Sequence, residues 1–450
     1  MLLAWIILLF VTICALRDFK KTFIIWMPFQ MLFNAQVALK YSSPAMSLNL
    51  GVALILFCIY FFKYKNKSKI CHNDRFILGT AVIAYSISYL LSFIVSIAPI
   101  SGGINAVIKF FLMTFGLMYI FQKLITTKED IRLFVKASIV VVFLIVGLAI
   151  FESIFKDNPI LNYVYNNSPH DESTMGRMWY IPPSIRGTMA MRFGMVRAYS
   201  FFGIPIEFGC ACAFFFFLLM LLYKNNFFKD LNINKKLLQI SIILSFIGVF
   251  LANSKTAYVG ILFLVFGLFG IKQILNIKVI LPLLIGIFVF FYFFPEYILN
   301  FTSLFDEDVA IEGGGSTVAG REIQFAVALR MFEMNPIFGN GPGSIDVLRQ
   351  IGSNSDILGA ESSWMQILPE RGIIGAIAYI IFYLSIFKHC IVYIPVRIIG
   401  GLLLGLFVME TATGVISAVY FMPVIIVIYK SYKFKYLNYA YRNNNNPQTY

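Results

Sequence analysis

Apolar runs recur along the whole chain, and each has about the length of a membrane-crossing helix. A helix needs about 20 predominantly apolar residues to cross a hydrocarbon core of about 30 Å. By this criterion the sequence contains about thirteen such runs. We predict them at residues 2–16, 22–39, 48–62, 76–97, 104–121, 134–155, 201–223, 237–253, 257–273, 277–296, 372–387, 391–411 and 414–429. The pattern predicts an all-α polytopic membrane protein with about 12–14 transmembrane helices.

Positive charge is concentrated in alternate connections between these runs, beginning with Arg17, Lys20 and Lys21 after the first one. Because cytoplasmic loops are enriched in Lys and Arg, this distribution predicts an N-out, C-in orientation. Two long segments, 156–200 and 297–371, then lie on the external side. Loops of this length inside a compact protein are usually functional, so we expect substrate contact there.

The same pattern divides the chain into six parts. We predict N-terminal transmembrane helices at 1–155, a first long external loop at 156–200, central transmembrane helices at 201–296, a second long external loop with a surface helix and a catalytic segment at 297–371, C-terminal transmembrane helices at 372–430, and a cytoplasmic tail at 431–450.

Composition agrees with a membrane protein and excludes several other classes. The chain is 59% hydrophobic and only 13% charged, whereas soluble domains have about 25% charged residues. The net charge of +14 lies in short loops where the positive-inside rule accounts for it, so we expect no nucleic-acid binding. The six cysteines and three histidines are scattered, and we expect neither a disulfide framework nor a metal site.

The external segments contain cations that oppose the charge trend. Arg192 and Arg197 end the first segment, Lys255 lies in the short turn "NSKTA", and Arg321 begins the helical stretch of the second segment. The guanidinium fork suits a diphosphate better than an ammonium group does. We therefore expect an anionic, lipid-linked pyrophosphate as ligand, although pairing with carboxylates or with lipid phosphates remains an alternative for each cation.

Acidic residues mark further candidate positions. Glu207 and Glu410 lie inside apolar runs, where a carboxylate is costly unless it faces a cavity or a partner. Glu361 and Arg371 lie within "ESSWMQILPERGIIG", just before a late apolar run. Within the quoted stretch, the spacing from Ser363 to Gln366 predicts a capping box. The preceding "GNGPG" predicts a structural turn, since it lacks the lysine of a nucleotide-binding loop.

Four patterns occur in a fixed order: "RAYSFFGIPIEFG", "NSKTAYVG", "GREIQFAVALRMFEMNPIFGNGPGS" and "ESSWMQILPERGIIG". Together they resemble the O-antigen polymerase and ligase superfamily over residues of about 195 to 385. The resemblance implies a GT-C-like glycosyltransferase architecture with periplasmic loops. It also implies that Arg197 and Arg321 bind the pyrophosphate of a lipid carrier, with Arg192, Lys255, Arg371, Glu207 and Glu410 as further substrate-binding candidates.

One departure from the family pattern separates the two activities. In ligases of this superfamily the motif that contains the two glycines begins with a histidine. Counting back from Gly372 and Gly375 places Glu361 at the position of that histidine. A carboxylate near the membrane boundary is partly desolvated, which favours a general base. We therefore predict Glu361 as the catalytic residue of a polymerase, with a ligase as the alternative.

The resemblance implies that such a polymerase joins undecaprenyl-pyrophosphate-linked glycans, donor and acceptor, at the periplasmic face of the bacterial inner membrane. We expect no cofactor and no metal, and we expect membrane lipid and a polysaccharide chain-length regulator as partners. A transporter or flippase of the same pathway and a non-catalytic membrane scaffold remain alternatives. A transporter would be expected to show repeated halves, and none is evident in the sequence.

Overall fold

A computed structural model describes residues 2–33, 37–40, 46–64, 75–167, 183, 191–270, 273, 276, 291–303, 305–306, 308–309, 318–345, 347, 362–414 and 418–444. The first half of the chain contains helices α1 (Leu2–Arg17), α2 (Phe19–Phe29), α3 (Leu48–Ile59), α4 (Gly79–Ile94), α5 (Ile100–Phe110), α6 (Leu117–Leu124), α7 (Lys128–Phe155) and α8 (Pro159–Asn166). The second half contains α9 (Pro205–Lys224), α10 (Phe227–Asp230), α11 (Lys235–Leu251), α12 (Lys255–Phe269), α13 (Glu296–Thr302), α14 (Val318–Glu333), α15 (Ser363–Cys390), α16 (Val396–Thr413) and α17 (Ala418–Asn444).

The strands form two short antiparallel ribbons among the described residues. In the first ribbon, β1 (Ala38–Lys40) pairs with β2 (Met46–Ser47). In the second, β3 (Met191–Arg192) pairs with β4 (Met195–Val196).

The helices confirm the predicted all-α polytopic membrane protein. In the described ranges, five helical stretches are long and apolar enough to cross a membrane: Ala106–Leu124, Lys128–Phe155, Pro205–Lys224, Ser363–Cys390 and Val396–Thr413. Four shorter apolar helices accompany them: Leu2–Arg17, Leu48–Tyr64, Gly79–Ile94 and Lys255–Phe269. Residues 277–290 of the run predicted at 277–296 lie outside the described residues, so the number of 12–14 helices stays a prediction.

Two predicted spans differ clearly from the structure. The helix predicted at 372–387 begins earlier, at Ser363, and the other difference is near the N-terminus. The run at 22–39 forms a helix only to Phe29, continues as a 3-10 turn to Leu32, and reaches strand β1 by Ala38. The side-chain amide of Asn49 donates to the carbonyl oxygens of Gln30 and Phe33, at 3.0 and 2.6 Å. These bonds satisfy carbonyls that the end of the helix leaves without intrahelical partners. Hydropathy alone does not reveal this stop because the residues beyond it are still apolar.

Helix α9 lies at the centre of the bundle, and nearly its whole length is buried. Its phenylalanines Phe208, Phe214, Phe215 and Phe217 are at most 1% exposed. Because so many bulky apolar side chains of α9 are buried within the protein, this helix forms a scaffold against which the neighbouring helices pack.

Helices α12 and α16 pack against each other with the closest backbone approach. A Cβ atom at Gly401 would overlap the Cα atom of Gly267, and one at Gly260 would overlap the side chain of Met409. Small residues allow membrane helices to approach in this way, where van der Waals contact replaces the hydrophobic effect as the driving force. The pairing runs antiparallel, so the start of α12, with Lys255, lies beside the end of α16.

Candidate functional site

Lys255 is the centre of a cluster of cations. It is the first residue of α12 and precedes the span predicted from residue 257. Burial and the neighbouring cations lower the pKa of Lys255 to about 8. In order of effect, these cations are Arg192, Arg321 and Arg197. These three arginines, from distant parts of the sequence, are therefore near enough to Lys255 to repel its charge. An anionic ligand bound here would reduce this repulsion.

Neutral side chains position two of these cations. The Lys255 ammonium group donates to the Ser303 hydroxyl at 2.8 Å. Arg192 is only 8% exposed, and its Nη1 donates to the Asn300 side-chain oxygen at 3.2 Å. Asn300 in turn donates to the side-chain oxygen of Asn253 at 2.6 Å. A hydroxyl or an amide orients a cation without cancelling its charge, so these bonds preserve the positive potential.

The short helix α13 supplies both polar partners, and the sequence reasoning missed them. Asn300 and Ser303 lie in and just after this helix, and the Ser303 hydroxyl also donates to the Asn300 carbonyl at 3.0 Å. The only available signal was polar residues, "LNFTS", after an apolar run. That pattern is common at the end of any membrane helix.

A tight hairpin presents Arg192. Strands β3 and β4 are joined by Phe193 and Gly194, which both have positive φ angles of 51° and 77°. Two consecutive residues of this kind match the twist of a two-residue hairpin. The turn places Arg192 opposite Met195, so the strand that carries this arginine is held by backbone pairing.

A buried carboxylate anchors the segment that follows Arg197. Glu152, near the end of α7, is fully buried and accepts hydrogen bonds from the backbone N–H groups of Tyr199 and Ser200, at 3.0 and 2.8 Å. It also accepts one from the Asn158 side-chain amide at 3.0 Å. Sequence reasoning missed Glu152, although an acid at the end of an apolar run was the available signal. Its role is to set the backbone path two residues beyond Arg197.

Arg321 is the fourth residue of α14, the surface helix predicted from the sequence. This helix ends at Glu333 and leads into the turn "NPIFGNGPG". Gly339, Gly341 and Gly343 have positive φ angles of 72°, 97° and 81°, which only glycine adopts without strain. The predicted structural turn is confirmed.

The turn is interlocked with a break in α15. Gly372 has φ of 60° and ψ of −157° inside that helix. Backbone hydrogen bonds run in both directions between the turn and the break, at 2.8–3.3 Å: Asn340 N to Pro369 O, Gly341 N to Glu370 O, Ile373 N to Pro336 O and Ile374 N to Ile337 O. These four bonds join the segment after Arg321 to the helix that follows Glu361.

Arg371 lies at this joint rather than among the charges that act on Lys255. It is 6% exposed, and its guanidinium group stacks on Tyr89 and Tyr85 of α4 at 4.7 and 5.0 Å. Such cation–π contacts gain strength when water is excluded. The structure thus separates Arg371 from the other predicted cations.

Glu361 lies outside the described residues, but the helix that follows it is defined. The N-cap of α15 is Ser362, whose hydroxyl accepts from the Trp364 N–H at 3.3 Å. The predicted capping box from Ser363 to Gln366 is therefore wrong, because the N-cap is Ser362 and the third helical residue is then Met365, whose side chain cannot accept the reciprocal hydrogen bond. The Ser363 hydroxyl instead donates to the backbone carbonyl of Glu410 at 2.9 Å, which ties the start of α15 to the end of α16.

Each of the two predicted intramembrane acids has a hydroxyl partner on a neighbouring helix. The Glu410 carboxylate accepts from the hydroxyls of Tyr379 and Tyr383, each at 2.6 Å. Glu207 accepts from Tyr420 at 3.4 Å. Both acids therefore have hydroxyl partners in the described structure, which lowers the cost of placing them between helices.

Comparison with known proteins gives one family match. Residues 240–380 match the family model described as O-antigen ligase. No curated protein and no solved structure matches the chain. The matched region includes Lys255, Arg321, Glu361 and Arg371, whereas Arg192, Arg197 and Glu410 fall outside it. Residues 240–380 are thus similar to the O-antigen ligase family model, in agreement with the O-antigen polymerase and ligase superfamily that the motifs of the chain resemble.

Proposed function

We propose that this protein polymerises undecaprenyl-pyrophosphate-linked oligosaccharide repeat units at the periplasmic face of the bacterial inner membrane. The growing glycan is transferred from its carrier to the non-reducing end of a new lipid-linked unit, and undecaprenyl pyrophosphate is released. The observation that carries the proposal is that Arg192, Arg197 and Arg321 all lie within electrostatic reach of Lys255. A diphosphate leaving group is the anion that this arrangement suits best.

The cations act on the leaving group. As the bond between the anomeric carbon and the phosphate oxygen breaks, its electron pair stays on the pyrophosphate and negative charge grows there. Arg197 and Arg321 bind this pyrophosphate, and Lys255 and Arg192 add to the same positive field. Cations that are already oriented before the reaction stabilise developing charge without reorganising during it. The neutral partners of Lys255 and Arg192 keep them in place.

Glu361 acts on the attacking group. Its carboxylate accepts the proton of the acceptor hydroxyl while that oxygen forms the new bond to the anomeric carbon. A direct displacement of this kind inverts the anomeric configuration. The carrier pyrophosphate is already activated, so the reaction needs no nucleotide sugar and no cofactor.

The polymerase is favoured over the ligase by Glu361, which stands where ligases of the superfamily have histidine. The family match covers both activities. A ligase would use the same leaving group and transfer the glycan to a lipid A core. The acceptor therefore distinguishes the two reactions.

A reconstituted reaction tests the proposal. Purified protein in lipid nanodiscs is incubated with one lipid-linked repeat unit and no nucleotide sugar, with and without lipid A core. A ladder of longer lipid-linked glycans is expected in both samples. Products on lipid A core alone would identify a ligase. Folded protein that makes neither product would overturn the proposed chemistry and favour a transporter or scaffold.

A further inference from the structure

A cavity opens between α12 and α16, at the end of α12 that is opposite to Lys255. Its volume is about 590 Å³, within the range of about 300–1,000 Å³ that ligand sites have. Phe263, Phe266 and Leu404 line it, and Gly267 and Gly401 contribute backbone where the two helices cross. Leu404 is 46% exposed, so the cavity opens on the outer surface of the helix pair.

One end of this cavity is charged, whereas the rest of its lining is apolar. Arg397 and Gln273 line the charged end, beside Gly270. From Phe269 back to Phe263, the apolar lining follows α12 for about 9 Å at a rise of 1.5 Å per residue. A membrane lipid is divided in the same way, into a polar head group and an apolar chain.

Two cations meet at the charged end. The Lys224 ammonium group, at the end of α9, donates to the Leu268 carbonyl oxygen at 2.6 Å, and Nη2 of Arg397 donates to the same oxygen at 3.2 Å. Nη1 of Arg397 also donates to the Phe269 carbonyl at 3.1 Å, and Lys224 to the side-chain oxygen of Gln273 at 3.2 Å. In the described part of the chain, no carboxylate forms an ion pair with either cation.

The end of helix α12 offsets only part of this positive charge. The free carbonyl groups at the C-terminus of a helix carry about half a negative elementary charge, whereas Lys224 and Arg397 each carry a full positive one. Because both cations donate to one oxygen, they also repel each other. Their hydrogen bonds to described residues leave N–H groups on both side chains for a further acceptor. An anion at this position would relieve the repulsion.

We propose that this cavity binds an acidic phospholipid. The phosphate group accepts from Arg397 and Lys224, and one acyl chain lies against Phe263, Phe266 and Leu404. Basic pockets between membrane helices on the cytoplasmic side bind acidic head groups in this way, and the predicted orientation places this end of α12 on that side. A zwitterionic head group fits less well, because its ammonium group would bring a third cation to the site.

The test measures binding of phosphatidylglycerol and phosphatidylcholine, with identical acyl chains, to the purified full chain in detergent by native mass spectrometry. The wild type is expected to bind phosphatidylglycerol more tightly. One cation near an acidic lipid surface adds about fivefold to binding, so Arg397→Gln and Lys224→Gln should each weaken the phosphatidylglycerol complex about fivefold. Lys229 is an exposed lysine that does not line the cavity, and Lys229→Gln should retain wild-type binding.

Leu404→Trp tests the apolar part of the cavity without changing a charge. The larger side chain takes space that the acyl chain would occupy, so binding of phosphatidylglycerol should be lost while the unfolding temperature without added lipid stays that of the wild type. Inorganic phosphate should not displace the lipid, because it has no chain to place in the cavity. If Arg397→Gln does not fold, Leu404→Trp decides by itself.

Several results would overturn the inference. Equal binding of both lipids by the wild type would remove the role of the charge, and equal weakening in Lys229→Gln and Arg397→Gln would indicate a diffuse surface attraction. Unchanged binding in Leu404→Trp would place the lipid elsewhere. Displacement by inorganic phosphate would assign the charged end to a free anion. None of these measurements depends on polymerase activity, so the inference stands or falls separately from the proposed function.

Discussion

At the scale of the residue, Lys255 shows how position changes a side chain's chemistry. An exposed lysine has a pKa of about 10.4, but burial beside Arg192, Arg321 and Arg197 lowers the pKa of Lys255 to about 8. The charge of this group therefore disappears within a pH range that is experimentally accessible, whereas the guanidinium groups remain charged.

The pH dependence of kcat/KM reports this titration in the free enzyme. Because the lysine is charged below its pKa, we expect kcat/KM to fall as pH rises through about 8. Lys255→Arg should remove this decline, since arginine stays charged. The exposed Lys229 provides a control, and Lys229→Arg should leave the profile unchanged. A decline that persists in Lys255→Arg would assign the titration to another group.

Glu152 shows a structural use of burial, because its carboxyl oxygens accept hydrogen bonds from the protein backbone. Glu152→Gln replaces an acceptor oxygen with an NH2 group that faces other donors. We expect a loss of about 1–3 kcal/mol in the free energy of unfolding and lower turnover through the displaced Arg197. Thermal unfolding and the polymerisation assay measure both effects.

Glu129 on the same helix is the matched control, since its side chain is 76% exposed. Surface substitutions of this kind usually change stability by less than about 0.5 kcal/mol. Equal stability of Glu152→Gln and Glu129→Gln would show that the buried carboxylate does not anchor the segment after Arg197.

At the scale of the element, the break in α15 is a place where backbone hydrogen bonds form with another segment instead of within the helix. The carbonyl oxygens of Pro369 and Glu370 accept hydrogen bonds from N–H groups of the turn. The N–H groups of Ile373 and Ile374 donate to carbonyl oxygens at the start of the turn. The hydrogen bonds lost within the helix are therefore replaced across the joint. A helix that is broken without loss of backbone bonding can hold a second segment at a defined register.

Gly372→Ala should weaken this joint. Its φ of 60° disfavours a side chain, and a Cβ atom would come within 2.5 Å of the Ile337 carbonyl oxygen. We expect a loss of at least about 1–3 kcal/mol in the free energy of unfolding, measured by thermal denaturation in nanodiscs.

Gly400 in α16 gives a control with the opposite expected sign. A Cβ atom there would meet nothing within 4 Å, and alanine is favoured over glycine in a helix by about 1 kcal/mol. Gly400→Ala should therefore be neutral or stabilising. Similar unfolding temperatures for both variants would mean that the break at Gly372 tolerates a side chain.

At the scale of the whole molecule, the proposed site depends on segments that are far apart in the chain. Arg197 follows a hairpin, Lys255 begins α12, and Arg321 lies in α14. If these cations act together on one pyrophosphate, each should matter for turnover even though other cations remain.

Arg197→Ala and Arg321→Ala are expected to lower kcat/KM for the lipid-linked donor by about 100-fold or more, the usual effect of removing one group that stabilises transition-state charge. Arg330 is an exposed arginine on the same helix as Arg321, and Arg330→Ala should retain wild-type kinetics. Normal kinetics in Arg197→Ala and Arg321→Ala would remove the pyrophosphate assignment.

Much of this architecture could be predicted from the sequence alone. Apolar length predicted the helical membrane fold, and glycine spacing predicted the turn at "GNGPG". Helix ends were harder, as the early stop at Phe29 and the N-cap at Ser362 show. Such ends depend on long-range bonds, including those that Asn49 donates and those in which Ser362 and Ser363 take part.

The sequence by itself determined that this is a helical membrane protein, and it predicted a set of unusual cations on the external side, because hydropathy and charge are properties of single segments. Only the tertiary structure decided which cations meet. It brought Arg192, Arg197 and Arg321 within electrostatic reach of Lys255, and it placed Arg371 over the rings of two tyrosines instead. The physical reason is that helix packing and backbone hydrogen bonds between distant segments decide which side chains lie close together. Neither leaves a local pattern in the sequence.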